Sequence, residues 1–191
     1  MKYRGLFNII SRPNDFKKEL IPIVKKLVEN EEKLSEGDKK RLLLPEKILK
    51  EIIECTGSNL SMTMKFGDKE KSLAIWQLRL EFIENVLPAF KPKFDLGRLE
   101  LWLNEILLPD YEFNVDSEDL FLLDPDYLYE RNGDLFNWLT LHFAKELVVE
   151  LTKKGLKGIP LCPNELHPFI SFRERKKYCS RACYMRIRRK K

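Results

Sequence analysis

Three of the four cysteines and one of the two histidines lie together near the C-terminal end of the sequence. Cys162 and His167 form one pair with four residues between them, and Cys179 and Cys183 form another with three residues between them. Eleven residues separate the two pairs. Zinc prefers four thiolate or imidazole ligands in a tetrahedron, and two close pairs joined by a loop can supply them. The spacing therefore predicts one structural zinc bound by Cys162, His167, Cys179 and Cys183.

The two ligand pairs call for different local structures. Pro163 and Pro168 each follow a residue of the first pair, which favours a tight turn. Cys179 and Cys183 are spaced i and i+4, so one helical turn can direct both thiolates to the same face. We therefore expect a turn and the start of a helix to converge on the metal.

Other chemistry for these four residues matches the sequence less well. Four protein ligands leave no open coordination position for a catalytic water, which disfavours a catalytic zinc. A disulfide framework is disfavoured because the chain shows no secretory signal and is long enough to form a core without covalent links. Two alternatives stay open, namely a Cys/His nucleophile pair and a reduced protein with scattered thiols and one surface histidine.

The sequence around the cysteines carries a second set of features. Cys162 follows an apolar helix, and Phe169 comes soon after it. A basic run, residues 173–177, then leads into an aromatic-Cys-Ser box, Tyr178-Cys179-Ser180. After the box come Cys183 and a basic tail, residues 186–191. This pattern resembles the CGNR-type zinc fingers, the C-terminal module of bacterial ABATE-domain proteins. The resemblance implies a treble-clef-like fold, bound zinc and a role in transcription regulation.

The chain also departs from that family pattern at three places. It reads Cys183-Tyr184-Met185-Arg186 where the family has Cys-Gly-Asn-Arg. Tyr178 replaces a tryptophan, and His167 replaces a cysteine. The resemblance covers the C-terminal stretch and does not extend through the preceding chain.

Positive charge is concentrated at the same end. Residues 171–191 carry ten lysines and arginines against Glu174, a formal charge of +9, whereas the other 170 residues carry 25 basic and 29 acidic side chains, a charge of −4. A basic segment on a mildly acidic body is typical of a module that binds nucleic-acid phosphates. The predicted nucleic-acid-binding residues are Arg173, Arg175, Lys176, Lys177, Arg181, Arg186, Arg188, Arg189, Lys190 and Lys191.

Residues 110–130 form an acidic counterpart, with eight carboxylates and no lysine or arginine, a charge of −8. Solvated turns are one interpretation of this stretch. The other is a hypothesis in which it contacts the basic tail while no nucleic acid is bound, through a network of pairs that added salt would weaken.

Residues 1–154 show mainly helical periodicity. Apolar residues recur at helical spacing in five segments, about 15–32, 45–57, 72–89, 96–108 and 134–154. The charged run 31–41 predicts an exposed connection. Alternating apolar and polar residues predict a strand over 60–66 and a small β-hairpin from 111–115 and 120–129.

Two more residues with reactive side chains lie among these segments. Cys55 adjoins an apolar helix face, which predicts a buried structural thiol. His142 shares a narrow polar stripe with Glu146 and Glu150, which predicts a partly solvated surface histidine. Neither a glycine-rich phosphate loop nor a Ser/His/Asp signature is present in the sequence, so we expect no catalytic site.

The composition, with 43% hydrophobic and 34% charged residues in 191, is that of an ordinary folded protein. No apolar run approaches the roughly 18 residues of a membrane span. The apolar stretch near the N-terminus is too short and interrupted for a signal peptide. We therefore expect a cytoplasmic protein without a membrane partner.

Together the patterns predict a mainly α protein. Residues 1–154 form a helical domain with a small β-hairpin, and residues 155–191 form a treble-clef-like zinc finger with a basic helical tail. The favoured function is zinc-dependent binding of nucleic acid, with DNA preferred, by a transcriptional regulator whose N-terminal domain senses a small ligand or a protein partner. The alternative is a protein-interaction adaptor in which the zinc is purely structural.

Overall fold

The computed structural model describes residues 5–30, 33–56, 65–106, 134–154, 159–163, 167–171 and 177–189. These residues are mainly helical, as the sequence predicted. The helices in chain order are α1 (Leu6–Ile10), α2 (Ile21–Glu29), α3 (Glu36–Arg41), α4 (Glu46–Cys55), α5 (Asp68–Glu81), α6 (Leu96–Ile106), α7 (Leu135–Lys153) and α8 (Arg181–Arg189). We call the described residues up to 154 the body, and those from 159 to 189 the C-terminal segment.

The body is built around α7. The side chain of Asp134 caps this helix by accepting a hydrogen bond of 3.0 Å from the amide of Phe136, which satisfies one of the free amides of the first turn. Eleven of the 19 residues of α7 are buried, so the helix is apolar around most of its circumference. It packs against α1, α5 and α6. The helix predicted over 134–154 is thus confirmed and is central to the core.

An aromatic cluster fills the centre of the body. The ring of Phe143 stacks on that of Phe7 with centroids 5.1 Å apart, and the rings of Phe82 and Trp102 meet it edge-on at 6.0 and 6.1 Å. Such pairs contribute about 0.5–1.5 kcal/mol beyond the burial of their surface. These contacts join α1, α6, α7 and the π-helical turn Phe82–Val86 that continues α5.

The first helix, α1, is held at its N-terminal end by a side chain from α7. The carboxylate of Glu146 accepts hydrogen bonds from the amides of Leu6 and Phe7, at 2.9 and 2.8 Å. A negative charge at this end complements the helix dipole. A Cβ atom at Gly5 would collide with the same carboxylate, so a larger residue there would displace the Glu146 side chain from this position.

A side chain from α5 holds the C-terminal end of α1. The guanidinium of Arg79 donates a hydrogen bond to the carbonyl of Ile10 and lies 5.2 Å from the ring centroids of Phe16 and Phe82. Burial lowers the pKa of Arg79 to about 10, and the charge of Asp15 acts in the opposite direction. Arg79 therefore remains a cation at neutral pH. A helix of five residues is not stable alone, so these contacts at both ends help to maintain it.

The charged run 31–41 contains a helix where an exposed connection was predicted. The hydroxyl of Ser35 accepts a hydrogen bond of 3.1 Å from the amide of Asp38 and so caps α3. None of the residues of α3 is buried, so apolar periodicity could not reveal it. The prediction of a loop here was wrong because a capping signal outweighed the lack of an apolar face.

The other predicted helices occur with shifted ends. The segment predicted from 15 opens with two 3-10 turns, Pro13–Asp15 and Lys18–Leu20, and α2 begins at Ile21, where Pro22 fits the first turn. Pro45 precedes α4 as its N-cap residue. The segment predicted over 72–89 begins earlier, at Asp68, and ends in the π-helical turn and the 3-10 turn Leu87–Phe90.

The strand predictions fall largely outside the described residues. The hairpin predicted from 111–115 and 120–129 lies outside them, as does the acidic stretch 110–130. Of the strand predicted over 60–66, only residues 65 and 66 are described, and they are not in a strand. Nor does any described helix combine the length and the apolar character needed to cross a membrane.

The C-terminal segment is joined to the body by polar and apolar contacts. The side-chain amide of Asn8 donates to the carbonyl of Ile170 at 2.9 Å and accepts from its amide at 2.8 Å. Ile159 is buried in the core of the body, and Leu161 packs against that core. Contacts therefore cross the domain boundary that the sequence predicted at 154.

Candidate metal centre

The first ligand pair lies on a strip of chain that folds back on itself. Leu161 and Pro168 form an antiparallel bridge. The amide of Cys162 donates to the carbonyl of His167 at 2.8 Å, and the amide of Phe169 donates to the carbonyl of Pro160 at 3.1 Å. Cys162 therefore lies opposite His167, as the turn predicted from the two prolines requires, although residues 164–166 lie outside the described part of the chain.

The second pair is positioned by the start of α8. The hydroxyl of Ser180 accepts a hydrogen bond of 3.2 Å from the amide of Cys183, three residues further along, as an N-cap residue does. Cys183 therefore lies in the first turn of the helix, while Cys179 lies just before it. The two sulfur atoms are 3.2 Å apart. The sequence predicted this convergence, although it placed both cysteines within the helix.

The structure brings the sulfur atoms of the first and second ligand pairs together. Those of Cys162, Cys179 and Cys183 all lie within 4.8 Å of one another, and we call these three residues the cysteine cluster. Their exposed fractions are 0%, 6% and 2%. Zinc with bonds of about 2.3 Å to sulfur places tetrahedral ligands about 3.8 Å apart, which lies between the 3.2 Å separation of Cys179 and Cys183 and the 4.8 Å limit for all three. The cluster could therefore hold a metal ion.

The surroundings of Cys179 keep its thiol neutral in the absence of a cation. Burial raises the pKa of the Cys179 thiol, and its hydrogen bonds and charge interactions with Cys183 and Cys162 raise it further. A bound metal ion reverses this balance, because it stabilises thiolates and displaces their protons. The donor set thus fits a cation that favours sulfur.

His167 is placed differently from the three cysteines. Its side chain is buried, and both ring nitrogens are inaccessible to solvent. The imidazole is not, however, in the group of ligand atoms that lie within 4.8 Å of one another. Its role as the fourth ligand stays a prediction, while its carbonyl shapes the turn at Cys162.

No family model, curated protein or solved structure matches the chain. The resemblance to CGNR-type zinc fingers accordingly rests on the motif residues alone.

Apolar side chains enclose the cluster. Phe169 is buried beside the three cysteines, and Tyr178 packs against them. The ring of Tyr178 meets that of Tyr184 on α8 edge-on, with centroids 5.4 Å apart. Sequence reasoning missed this aromatic pair, although the two tyrosines bracket the second cysteine pair and could have drawn attention to it.

The predicted nucleic-acid-binding residues divide into two groups. The five that the structure describes are exposed. Lys177 lies just before Tyr178, and the other four lie on α8: Arg181, Arg186, Arg188 and Arg189. The other five lie outside the described residues: Arg173, Arg175, Lys176, Lys190 and Lys191. Four arginines therefore project from a nine-residue helix that starts at the cysteine cluster.

The two remaining candidate residues of the body lie apart from the cluster. Cys55 is half-buried at the end of α4. His142 is half-buried on α7, with its ring 4.3 Å from that of Trp138. Cys55 is thus more exposed than the buried structural thiol predicted, and His142 is partly solvated, as expected.

Proposed function

We propose that the chain is a non-catalytic, cytoplasmic protein that binds nucleic acid in a zinc-dependent manner, with DNA preferred, as a transcriptional regulator. Cys162, Cys179 and Cys183 would hold the zinc, with His167 as the fourth ligand. A zinc with four protein ligands supplies structure rather than catalysis. The observation that carries the proposal is the position of α8, an exposed arginine-rich helix that begins at a buried group of three cysteines.

The metal would act by bracing α8. A nine-residue helix is marginal in water, and repulsion among four arginines weakens it further. Cys183 lies in its first turn and Cys179 lies two residues before its first residue, so a metal bound to both fixes the start of the helix. Cys162 joins this metal to the strip that packs on the body. The arginines then project from a fixed support.

The charge distribution indicates which class of partner the C-terminal segment binds. Residues 171–191 carry a formal charge of +9 in a chain of +5, so the field at this end attracts polyanions. Six of the ten basic residues are arginines, whose planar guanidinium groups make paired hydrogen bonds to phosphate. Binding to phosphates releases counterions and therefore weakens steeply as salt is added.

A charge-matched pair of variants tests the proposal. One variant carries Gln at Arg181, Arg188 and Arg189, and the control carries Gln at three exposed body lysines, Lys17, Lys18 and Lys26. Both variants have three fewer positive charges than the parent protein, so only the location of the charge differs. Binding to a labelled DNA duplex is measured by fluorescence anisotropy across a salt series.

We expect the helix variant to bind more weakly and the control to bind like the parent protein. If each of the three arginines neutralises one phosphate, their removal should make the slope of log affinity against log salt shallower by about 2.7. A chelator should abolish binding, and added zinc should restore it. Equal affinities and slopes for the two variants would overturn the role of α8. An absence of binding to duplex and single-stranded DNA alike, even at low salt, would favour the adaptor, in which α8 contacts an acidic protein.

A further inference from the structure

Tyr184 is exposed in the most basic part of the described chain. Its exposed fraction is 42%, and among the described residues it is the one aromatic side chain in the set of large, exposed hydrophobic side chains. Arg181 precedes it by three residues and Arg188 follows it by four. Residues at these spacings are neighbours on one face of a helix. A stripe of arginine, tyrosine and arginine therefore runs along α8.

The exposed ring has a fixed neighbour. Tyr178 meets Tyr184 at an interplanar angle of 62°, with centroids 5.4 Å apart, and packs in turn against the cysteine cluster. A ring held by a second ring loses less conformational freedom when it binds a ligand. Tyr184 is thus an aromatic surface supported by a ring that itself packs on the cysteine cluster.

The chemistry of this stripe matches one class of partner. Guanidinium groups bind phosphates, and an aromatic face stacks on a nucleic-acid base, a combination used by proteins that bind single strands. In a duplex each base already lies between its neighbours, so an exposed tyrosine on a helix has no free base face to stack on. An acidic peptide would pair with the arginines and leave the ring unused.

We propose that Tyr184, flanked by Arg181 and Arg188, stacks on an unpaired base, so that α8 binds single-stranded nucleic acid or an unpaired region of a duplex. This inference rests on the proposed function and narrows its partner. Backbone phosphates supply the attraction, and the stacked base supplies a preference for exposed bases.

Three DNA ligands separate stacking from charge: a single strand, an abasic strand of the same length and a duplex. The abasic strand keeps the phosphates and lacks the bases. Each is titrated with the full chain, Tyr184→Ala and Tyr184→Phe, after metal analysis has shown equal metal content in the three proteins. The phenylalanine variant is the matched control, because it retains the ring.

We expect the full chain to bind the single strand more tightly than the abasic strand. Tyr184→Ala should bind the single strand about five- to 150-fold more weakly, the range found when stacking aromatics are removed, and should bind the abasic strand unchanged. Tyr184→Phe should bind both strands like the full chain.

Other outcomes overturn the inference in distinguishable ways. If the full chain binds all three ligands with affinities that Tyr184→Ala leaves unchanged, binding involves the backbone alone, and only the proposed function survives. If the duplex binds more tightly than the single strand and Tyr184→Ala has no effect, the inference is likewise overturned and only the proposed function survives. Binding of none of them, or equally tight binding of polyglutamate, overturns both proposals.

Discussion

The aromatic centre around Phe143 and the cysteine cluster are both buried, yet they are built from different side chains. In the body, large rings from α1, α6, α7 and the turn after α5 meet one another. In the C-terminal segment, three of the four buried residues of the local cluster are cysteines, and the fourth is Phe169. The body therefore has extensive apolar surface to bury, and the C-terminal segment has little.

This difference determines which interactions can stabilise the folded state of each region. Burying one phenylalanine is worth about 1.5–3 kcal/mol, whereas fixing the backbone of a single residue costs about 1–2 kcal/mol. Apolar burial around Phe169 is therefore too small to order the C-terminal segment by itself. A metal at the cysteine cluster and the contacts with the body are the two available sources of stability, and each can be removed separately.

The largest expected effect follows from removing a cluster thiol. Cys183→Ser should abolish metal binding and with it on the order of 10 kcal/mol of folding free energy in the C-terminal segment, while the body stays folded. Elemental analysis and hydrogen exchange, comparing 177–189 with α7, measure the two effects. Cys55→Ser is the matched control, because it also removes a thiol but lies outside the cluster. Full metal content in Cys183→Ser would contradict the assignment.

The corresponding change in the body is Phe143→Ala. Phe143 is fully buried and contacts three other rings, so its removal should lower the free energy of unfolding by about 3–5 kcal/mol through reduced apolar burial and a residual cavity. Urea unfolding followed by tryptophan fluorescence measures the change. Leu101→Ala, at a position 67% exposed on α6, should change it by less than about 0.5 kcal/mol. Similar decreases for the two variants would argue against the central role of Phe143.

A smaller effect is expected at the junction between the two regions. Asn8→Asp keeps an acceptor for the amide of Ile170 but removes the donor to its carbonyl. Leaving such a group unsatisfied costs about 1–3 kcal/mol, so the amide of Ile170 should exchange faster with solvent. Asn85→Ala removes a hydrogen bond between exposed side chains one helical turn apart and serves as the control. Unchanged exchange at Ile170 in Asn8→Asp would show that the regions are coupled elsewhere.

The smallest effect concerns the pH dependence of the body. Burial raises the pKa of Glu146 above 4.5, although hydrogen bonds from the amides of Phe7 and Leu6 act in the opposite direction. Glu146 in the folded state then holds its proton to higher pH than in the unfolded state. Its contribution to the free energy of unfolding is therefore fully present below the ordinary pKa of a glutamate and is lost as pH rises through the pKa of Glu146 in the folded state. We expect the parent protein to lose stability relative to Glu146→Gln as pH rises from about 4.5.

The measurement for this last prediction is the difference in the free energy of unfolding between the two proteins as a function of pH. Taking the difference cancels the titration of all groups that the two proteins share. A difference that stays constant across the range would show that Glu146 titrates alike in the folded and unfolded chains.

The features that the sequence could predict are those with a local signal. The apolar residues of α7 and the cap at Asp134 lie within one helix, and the spacing of Cys179 and Cys183 places both near one helical turn. The pairing of Cys162 with His167 agrees with the turn predicted from Pro163 and Pro168. In α3 a local capping signal was present at Ser35, but the prediction relied on apolar periodicity, which this helix lacks.

The contacts of α1 could not be predicted, because they depend on residues far away in the sequence. Glu146 was placed on a polar stripe of α7, where its spacing fits a solvated residue, yet its carboxylate binds two amides of α1. A polar residue at a given helical position looks the same whether water or another helix faces it. The same reason applies to Asn8, whose partner lies 162 residues further along the chain.

The positions of Glu146 and Ile170 in the sequence also mean that they are synthesised long after α1. α1 leaves the ribosome well before its partners, since Glu146 follows Leu6 by 140 residues and Ile170 follows Asn8 by 162. At about 5–20 residues per second, translation of the intervening chain takes on the order of ten to thirty seconds. Throughout that interval the apolar residues of α1 have no completed core to enter. We therefore expect α1 to be among the last of these helices to reach its final place, and chaperones that shield emerging apolar segments have a long opportunity to act on it.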